Sequence, residues 1–564
     1  MCGLFVVINK KLKPLNVNRC KEGLDQLKNR GPNWQFYKML APNIFMSQTV
    51  LSMTGKIKKD INQHYSDNKK KFIVFNGEIY NYEKLSKTYL NPKIYKGNSD
   101  TKVLVNLIDK VNIKNLNTLL DGMYAFVVFD KLKNELILNR DPQGEKIIYI
   151  YEDNEEIILS SEIKAIIYYT KKAKINKNIL KNYFYTRHLI QFDKTIFKNI
   201  KILEPGHLKV LDLKNFKFKL LSTISLGDMI SQADYNHNLK RKENDLVEEL
   251  DFLLEKNTKQ MIPRGRKFVS VVSGGIDSSL LSHYICKNSS PEKLICLNHV
   301  GKDELSHCIK IFEKELKFKI SHYDIYPKDY YLNLIDALKA CNGPVHSHSF
   351  VGQLIMSKII NKSGCKALFV GEGADELFGG YDTYRQKINN PKINQSNYSK
   401  ILKSNLFLKD NEFYEFKSNI NKHWKNSLGK FDFIENEDHK NRLAMMLMDS
   451  TIQLSSNGLR GADLMAMLHS VEARSVFLRR DIVKFALNLP LKFKIDLKSN
   501  NLLNTKILLK KVFLKHFSKK LILKKQGFAG FPNESSQYLG NKNDYLIKKI
   551  FNIKNYKKKI ANLD

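Results

Sequence analysis

The segment FVSVVSGGIDSSLLSHYI, residues 268–285, decides the fold of the second half of this 564-residue chain. Residues 268–272 read as a buried strand, and residues 280–285 read as part of an apolar helix. The Gly-Gly turn and the hydroxyl-rich residues between them gather backbone N–H groups and the positive end of a helix dipole around one point. The segment therefore predicts an anion-binding loop at the carboxyl end of a strand.

Outward from this segment, apolar strands alternate with helices. Strands are predicted at residues 294–297 and 367–370, and helices are predicted at residues 305–316 and 350–360. Such alternation is typical of a parallel sheet with crossover helices, in which ligands bind beyond the carboxyl ends of the strands. The second half is therefore expected to be an α/β domain built on a parallel sheet.

The first half shows a different pattern, in which short apolar runs are separated by turns. The runs occupy residues 72–75, 124–129, 136–138, 147–151 and 157–159. The pair Asn76-Gly77 is read as a turn that ends the first run. We expect stacked antiparallel sheets with helices, which is an α+β sandwich.

The boundary between the halves is predicted from a change of pattern after residues 204–207. A lysine-rich stretch without clear periodicity follows, and residues 244–262 then carry apolar side chains at helical spacing. We therefore predict a first domain at residues 2–211, a linker at 212–240 and a second domain at 241–564.

The composition is strongly basic, with 94 Lys and Arg residues against 57 Asp and Glu and a formal net charge of +37. The excess is mostly lysine spread along the whole chain, so we expect attraction for anionic substrates and no nucleic-acid partner. No stretch approaches the roughly 20 apolar residues that cross a bilayer, so no membrane partner is expected. The seven cysteines lack paired spacing. A cytoplasmic protein with reduced thiols and no structural zinc is the expectation.

Cys2 is the candidate nucleophile of the first half. Once Met1 is removed, the thiol lies beside its own α-amino group, which can act as its base. Three later motifs place turn-forming and polar residues at the ends of apolar runs: RGP at 30–32, NGEIYN at 76–81 and GNSDT at 97–101. Exposed backbone groups and a carboxylate at the ends of strands can bind an amino-acid substrate.

In the order and spacing of these motifs, the first half resembles the N-terminal-nucleophile glutaminase domain of class II glutamine amidotransferases. The resemblance implies that Cys2 attacks the side-chain amide of glutamine, while Asn76 and the backbone N–H of Gly77 form the oxyanion hole. It also implies a set of glutamine-binding residues: Val50, Leu51, Asn76, Gly77, Glu78 and Asp100. Within that set, Asp100 holds the α-amino group of the substrate.

One position departs from that family. The segment SQTVLSM at residues 47–53 carries Val50 where the family usually has an arginine for the glutamine carboxylate. Losing a charge-assisted partner of a carboxylate removes a contact of about 1.5 to 3 kcal/mol. We therefore expect weakened glutamine capture.

The loop at residues 273–279 is not the phosphate loop of the common ATPases, because no lysine follows its glycines. It resembles the pyrophosphate loop of enzymes that cleave ATP to AMP and pyrophosphate. The resemblance implies that ATP is bound by these residues: Val271, Ser273, Gly274, Gly275, Asp277, Ser278, Ser279, Leu297, Val370 and Gly371.

The string GEGADELFGGY at residues 371–381 is a second signature, placed after a predicted strand. At a sheet's carboxyl edge, Asp375 can join Asp277 as an oxygen ligand for Mg²⁺ on the pyrophosphate. The string resembles that of asparagine synthetases, and the resemblance makes Glu372 an acid or base near the acyl-adenylate. It continues at three further places: LRGAD at 459–463, HSVEARSVFL at 469–478 and KILLK at 506–510. Lys506 is then the candidate that neutralises charge during amide formation.

Taken over residues 2 to about 535, the resemblance implies glutamine-dependent asparagine synthesis with ATP and Mg²⁺, and it suggests a homodimer. Because no aspartate-binding residue is identified, a related amidotransferase acting on a sugar uronic acid or a peptide carboxylate stays open. A regulatory binding protein with a degenerate site and a basic nucleic-acid binder are the alternatives of another class. Intact Cys2, Asp277 and Asp375 argue against both.

Overall fold

A computed structural model describes residues 2–53, 59–91, 99–180, 193–300, 305–343, 348–386, 414–499 and 501–523. The described residues divide into two compact units, of which the first ends at Asp228 and the second begins at Met229. This division falls inside the stretch 212–240, which holds a strand of the first unit, Phe218–Thr223, and a helix of the second, Gln232–Lys240. Residues 97 and 98 of the GNSDT motif, and the resemblance beyond residue 523, lie outside the described ranges.

The first unit contains two antiparallel sheets, as predicted. In the described part of the chain, one sheet has the strand order β2-β3-β1-β8-β7-β9 and the other has the order β11-β10-β6-β5-β4. The strands of the first sheet are β1 (Cys2–Asn9), β2 (Trp34–Ala41), β3 (Ile44–Val50), β7 (Tyr149–Glu152), β8 (Glu156–Ser160) and β9 (Ile200–Ile202). Those of the second sheet are β4 (Lys71–Ile79), β5 (Gly122–Asp130), β6 (Glu135–Arg140), β10 (His207–Asp212) and β11 (Phe218–Thr223).

Alternation of side chains along these strands builds two apolar layers. Leu4 and Val6 of β1 share one buried cluster with Val74 of β4 and Val127 of β5, so this layer lies between the two sheets. The intervening residues of the second sheet face helices and form another cluster with Leu104. The helices of this unit are α1 (Val17–Asp25), α2 (Tyr82–Tyr89), α3 (Asp100–Leu107), α4 (Leu116–Leu119) and α5 (Ile163–Thr170). With α1 and α5 against the first sheet, the unit is a sandwich of two sheets between helices.

The prediction of a turn at Asn76-Gly77 was wrong. Both residues lie inside β4, where Asn76 is opposite Ala125 and Gly77 is opposite Tyr124. Gly77 has a φ of +150°, and a Cβ at this position would lie 2.0 Å from the carbonyl oxygen of Met123. Glycine is required here by the close approach of β5, since a side chain would force the two strands apart.

The second unit is built on a parallel sheet, as predicted. Within the described residues its strand order is β14-β13-β12-β15-β16, and every pair in it is parallel. The strands are β12 (Phe268–Val271), β13 (Lys293–His299), β14 (Ile320–Ile325), β15 (Ala367–Val370) and β16 (Glu472–Ser475). The chain thus starts in the centre, adds two strands on one side and then adds two on the other, which is a doubly wound order.

Helices connect and cover these strands. They are α6 (Gln232–Lys240), α7 (Glu243–Met261), α8 (Ile276–Asn288), α9 (Leu305–Leu316), α10 (Pro327–Cys341), α11 (His348–Lys362), α12 (Ala374–Phe378), α13 (Tyr414–Gly429), α14 (Glu437–Met448), α15 (Leu459–Met467), α16 (Arg480–Leu487) and α17 (Ile507–His516). A π-helical segment, Asp449–Gly458, joins α14 to α15. In the portion of the chain that is described, none of the helices has the length and apolar character needed to cross a bilayer.

The strands β14 and β16 were not predicted from the sequence. The sequence of β16 is EARS, in which Glu472 and Arg474 are both fully buried and form an ion pair of 2.8 Å. Charged residues of this kind enter a core only when they are paired, and pairing is not visible in an apolar pattern. The strand β14, ISHYDI, lies at the edge of the sheet and carries the polar residues Ser321, His322 and Asp324 between its buried apolar ends.

Candidate active sites

Cys2 and Asn76 are brought together although 74 positions separate them in the sequence. Cys2 is the first residue of β1, which lies between β3 and β8, and the residue is only 8% exposed. Its backbone N–H donates a hydrogen bond of 3.1 Å to Oδ1 of Asn76 on the facing sheet. The candidate nucleophile is therefore held at the end of a central strand, against the strand that carries the predicted oxyanion residues.

The side-chain amide nitrogen of Asn76 is free to donate to a ligand. Its Oδ1 accepts from Cys2, whereas its Nδ2 is buried and has no hydrogen-bond partner among the described residues. A buried donor without a partner costs about 1 to 3 kcal/mol, and such groups are rare in native proteins unless they serve a ligand. With Gly77 as the next residue of β4, the arrangement can offer N–H groups to an oxyanion that forms beside Cys2.

Asp100 is tied to the end of the same strand. It is the first residue of α3, and its Oδ2 accepts a hydrogen bond of 3.0 Å from the N–H of Ile79. Its Oδ1 accepts from the N–H of Thr101 at 2.8 Å. The carboxylate of Asp100 is thus bound to the residue that follows Glu78. Glu78 is the other acidic residue of the predicted glutamine-binding set.

Val50 lies directly beside the nucleophile. It is the last residue of β3, opposite Cys2 of β1, and Leu51, which follows it, is buried. The nearby Arg30 is fully buried and donates to the carbonyl oxygen of Cys2 at 3.0 Å while it pairs with Glu162 at 3.1 Å. Arg30 therefore fixes the backbone of Cys2. The sequence had suggested only that the RGP motif grips substrate.

In the second unit, the predicted anion-binding loop connects β12 to α8. Gly274 has a φ of +74°, and Gly275 stands at the N-cap position of α8. The hydroxyls shape the loop, because Oγ of Ser278 accepts from the N–H of Ser273 at 3.1 Å and Oγ of Ser279 donates to the carbonyl of Gly275 at 2.9 Å. The hydroxyls of the loop thus fix its shape at the start of α8, and its use as an anion-binding site stays a prediction.

The other residues predicted to bind ATP lie at the same edge of the sheet. Val271 and Val370 end the adjacent parallel strands β12 and β15, and Leu297 lies near the carboxyl end of β13. Between β12 and β15 the strand order reverses, so the loops that follow them diverge and leave a crevice. Gly371, just after β15, lies against Asp277, at the start of α8, because a Cβ on Gly371 would be 3.0 Å from Cβ of Asp277.

Lys506 joins the two predicted metal ligands. Its Nζ lies 2.5 Å from Oδ2 of Asp277 and 2.6 Å from Oδ1 of Asp375, and the lysine is 6% exposed. Burial alone would lower the pKa of Lys506, but the two carboxylates outweigh it and raise that pKa above its ordinary value. A side chain at Gly380 would lie 1.9 Å from Oδ1 of Asp375, so this glycine permits the contact.

The pair of carboxylates fits a hard divalent cation. The ammonium of Lys506 already shows that a cation is accommodated between Asp277 and Asp375. Mg²⁺ commonly takes one or two protein carboxylates together with phosphate oxygens and waters. In the described ranges no group of three or more His, Cys, Asp or Glu residues is placed to hold a metal, so phosphate and water would supply the remaining ligands.

Glu372 and Glu376 carry strongly shifted pKa values on either side of Asp375. Burial, with added repulsion from Asp375, raises the pKa of each carboxyl to about 7. Tyr381 donates to Glu376 at 2.6 Å, and Nε2 of Gln353 donates to Oε1 of Glu372 at 3.1 Å. The sequence motifs singled out Glu372, but they did not include Gln353, which comes from α11 and has no local signature.

Two family models match the chain. Residues 1–220 match the glutamine amidotransferase domain, and residues 249–559 match asparagine synthase. Among curated relatives, a glutamine-hydrolysing asparagine synthetase of Bacillus subtilis is 24% identical, over 76% of this chain and 58% of its own length. A probable one from Acanthamoeba polyphaga mimivirus is 26% identical over 73% of both chains. A putative one from Methanocaldococcus jannaschii is 31% identical over 55% of this chain and 59% of its own. The chain thus spans less than two thirds of the length of two of these relatives.

Proposed function

This chain belongs to the asparagine synthase family, and from that premise we propose that it makes asparagine from aspartate with glutamine as nitrogen donor and ATP as energy source. The observation that carries the proposal is the cluster of Asp277, Asp375 and Lys506 at the point where the strand order of the parallel sheet reverses. A second site around Cys2 supports the use of glutamine.

The first half-reaction releases ammonia. After removal of Met1, the thiol of Cys2 gives its proton to its own α-amino group, and the resulting thiolate attacks the side-chain amide carbon of glutamine. Asn76 Nδ2 and the N–H of Gly77 stabilise the oxyanion, and Asp100 binds the α-ammonium group. Glu78, Val50 and Leu51 complete the substrate contacts. The carbon–nitrogen bond breaks as the α-ammonium group of Cys2 returns its proton to the nitrogen, so ammonia leaves, and water then hydrolyses the thioester to glutamate.

The second half-reaction activates aspartate. The pyrophosphate of ATP binds to the loop at residues 273–279, with Val271, Leu297, Val370 and Gly371 around the rest of the nucleotide. The β-carboxylate of aspartate attacks the α-phosphorus, and pyrophosphate departs. Asp277 and Asp375 would hold Mg²⁺, which supplies charge neutralisation for the departing pyrophosphate. Lys506 exchanges its carboxylate partners for phosphate oxygens as that charge develops.

Amide formation completes the reaction. The nitrogen of ammonia attacks the acyl carbon, the bond to the AMP oxygen breaks, and Glu372 takes a proton from the nitrogen. Because burial raises its pKa to about 7, Glu372 can exchange a proton near neutral pH. We place this reaction in the cytoplasm and propose a homodimer.

Labelled substrates test the proposal. The full chain is incubated with ¹³C-aspartate, glutamine labelled with ¹⁵N in its amide, ATP and Mg²⁺, and the products are identified by mass spectrometry. The expected products are asparagine carrying both labels, glutamate, and one AMP and one pyrophosphate per amide. Formation of ADP, or amidation of another carboxylate while aspartate stays unchanged, would contradict the proposal.

A further inference from the structure

The side chain of Gln353 has one atom whose hydrogen bonding is incomplete. Its Nε2 donates to Glu372, whereas its Oε1 is buried and accepts no hydrogen bond from any described residue. The bond fixes the orientation of the amide while Glu372 is ionised, the form in which it serves as base, because exchanging the amide nitrogen and oxygen would then place two acceptors together. Oε1 is therefore a fixed and shielded acceptor next to the carboxyl group of Glu372.

A buried acceptor without a donor is costly, so its presence beside a reactive group needs an explanation. The missing partner must carry an N–H or O–H group. It must also be small, because Oε1 is buried and shielded from solvent. Finally, it must tolerate a negative surrounding, since the charges of Asp375 and Asp277 reach Glu372.

Water and ammonia both meet these requirements, and ammonia is the one that the proposed reaction brings to Glu372. We propose that Gln353 is a catalytic residue that accepts an N–H from the incoming ammonia, in place of a resting water, while Glu372 accepts its proton. This inference rests on the proposed function. As the nitrogen lone pair forms the bond to the acyl carbon, the bond to AMP breaks and AMP leaves with its electron pair. The nitrogen becomes positive at that moment, and a carbonyl oxygen beside it stabilises the charge until Glu372 takes one proton.

The variant that tests this role is Gln353→Met, which keeps the length of the side chain and removes the acceptor. Two reactions are measured without glutamine: aspartate-dependent exchange of labelled pyrophosphate into ATP, and asparagine formation from ammonium salts. We expect exchange within about twofold of wild type, and a fall in kcat/KM for ammonia of roughly 10- to 100-fold, the size expected for a hydrogen bond to a charged group. Gln232→Met is the matched control, because Gln232 is exposed on α6, and both of its rates should be unchanged.

A pH profile separates this role from tuning of the neighbouring carboxyl group. The N–H of Gln353 lowers the pKa of Glu372, so its removal raises that pKa and depresses activity most at low pH. If tuning were the whole effect, the ammonia defect of Gln353→Met would vanish above about pH 9, where Glu372 is ionised in both proteins. Our proposal predicts that the defect persists there.

Besides a defect that vanishes at high pH, three results would overturn the inference. They are an unchanged kcat/KM for ammonia, an equal loss in pyrophosphate exchange and ammonia use, or a selective rise of the aspartate KM in the exchange reaction. The last result would assign Oε1 to the α-ammonium of aspartate. Absence of aspartate-dependent exchange in the wild-type protein would instead refute the proposed function, so the two failures are distinguishable.

Discussion

The two candidate sites of this chain are held together by different physical means. The site around Cys2 is fixed mainly by strand pairing and by the hydrogen bond to the amide of Asn76, and an ion pair, Arg30 with Glu162, supports the backbone of Cys2 from outside the reacting groups. The site in the second unit lies at the starts of the helices α8, α12 and α17. It is held by charges, with Lys506 between Asp277 and Asp375. A framework of strands can keep an oxyanion hole ready, whereas a cluster of charges must exchange partners when an anionic substrate arrives. Dependence on metal and on pH should therefore concentrate in the second unit.

Removing the nucleophile should have the largest effect and should be confined to one site. Cys2→Ala is expected to lose glutamine-dependent asparagine synthesis by several orders of magnitude, because the proposed thioester forms on the thiol of Cys2. Synthesis from ammonium at mildly alkaline pH should stay near the wild-type rate. Cys20→Ala, at another buried cysteine of the first unit, is the control and should keep the glutamine-dependent rate. Loss of the ammonia-dependent rate in a folded Cys2→Ala protein would show that the sites are not independent.

The reverse experiment removes one charge from the second site. Asp375→Asn should slow adenylate formation by about 10³-fold or more, since a carboxylate that neutralises phosphate charge contributes a large electrostatic term. Glutamine hydrolysis should stay within about twofold of wild type, because a change at one site leaves the rate at a separate and independent site almost unaffected. The two rates are read as pyrophosphate exchange and as glutamate release. Asp382→Asn, on the segment just after the acidic string, is the matched control, and similar losses in both aspartate variants would remove the assignment of Asp375.

Glu372 should give the second site its pH dependence. Its pKa is raised to about 7, so its base form grows as pH rises through 7. With rates expressed per concentration of free NH₃, wild-type amide formation should rise between pH 6 and pH 8, by the usual behaviour of a general base. Glu372→Gln should be slower by about 10²- to 10⁴-fold and insensitive to pH over this interval. A variant that keeps the wild-type pH profile would exclude Glu372 as the base.

The smallest expected effect lies in the first site. Val50→Arg should lower the glutamine KM by roughly 10- to 100-fold, because an arginine opposite Cys2 can bind the substrate carboxylate. Val50→Met adds length without charge and should leave the KM close to wild type. An unchanged KM in Val50→Arg would mean that another basic group already binds the carboxylate.

The sequence predicted the parts of both sites that depend on local patterns. Asp277, Asp375 and the loop at 273–279 follow apolar strands, and parallel strands bring such loops to one edge of a sheet. It was misleading at Asn76-Gly77, since a turn pair can stay inside a strand when a neighbouring backbone leaves no room for a side chain. The roles of Arg30 and Gln353 depend on partners far away in the chain, Glu162 and Glu372. No local pattern encodes such pairings.

The most direct test of the account is aspartate-dependent pyrophosphate exchange in three proteins: wild type, Cys2→Ala and Asp375→Asn. Exchange needs neither glutamine nor ammonia, so it reports only the adenylating site of the second unit. We predict equal exchange rates in wild type and Cys2→Ala, and loss of exchange in Asp375→Asn. Exchange that does not depend on aspartate in the wild type, or that is lost in Cys2→Ala and kept in Asp375→Asn, would contradict the assignment of aspartate activation to the cluster around Lys506.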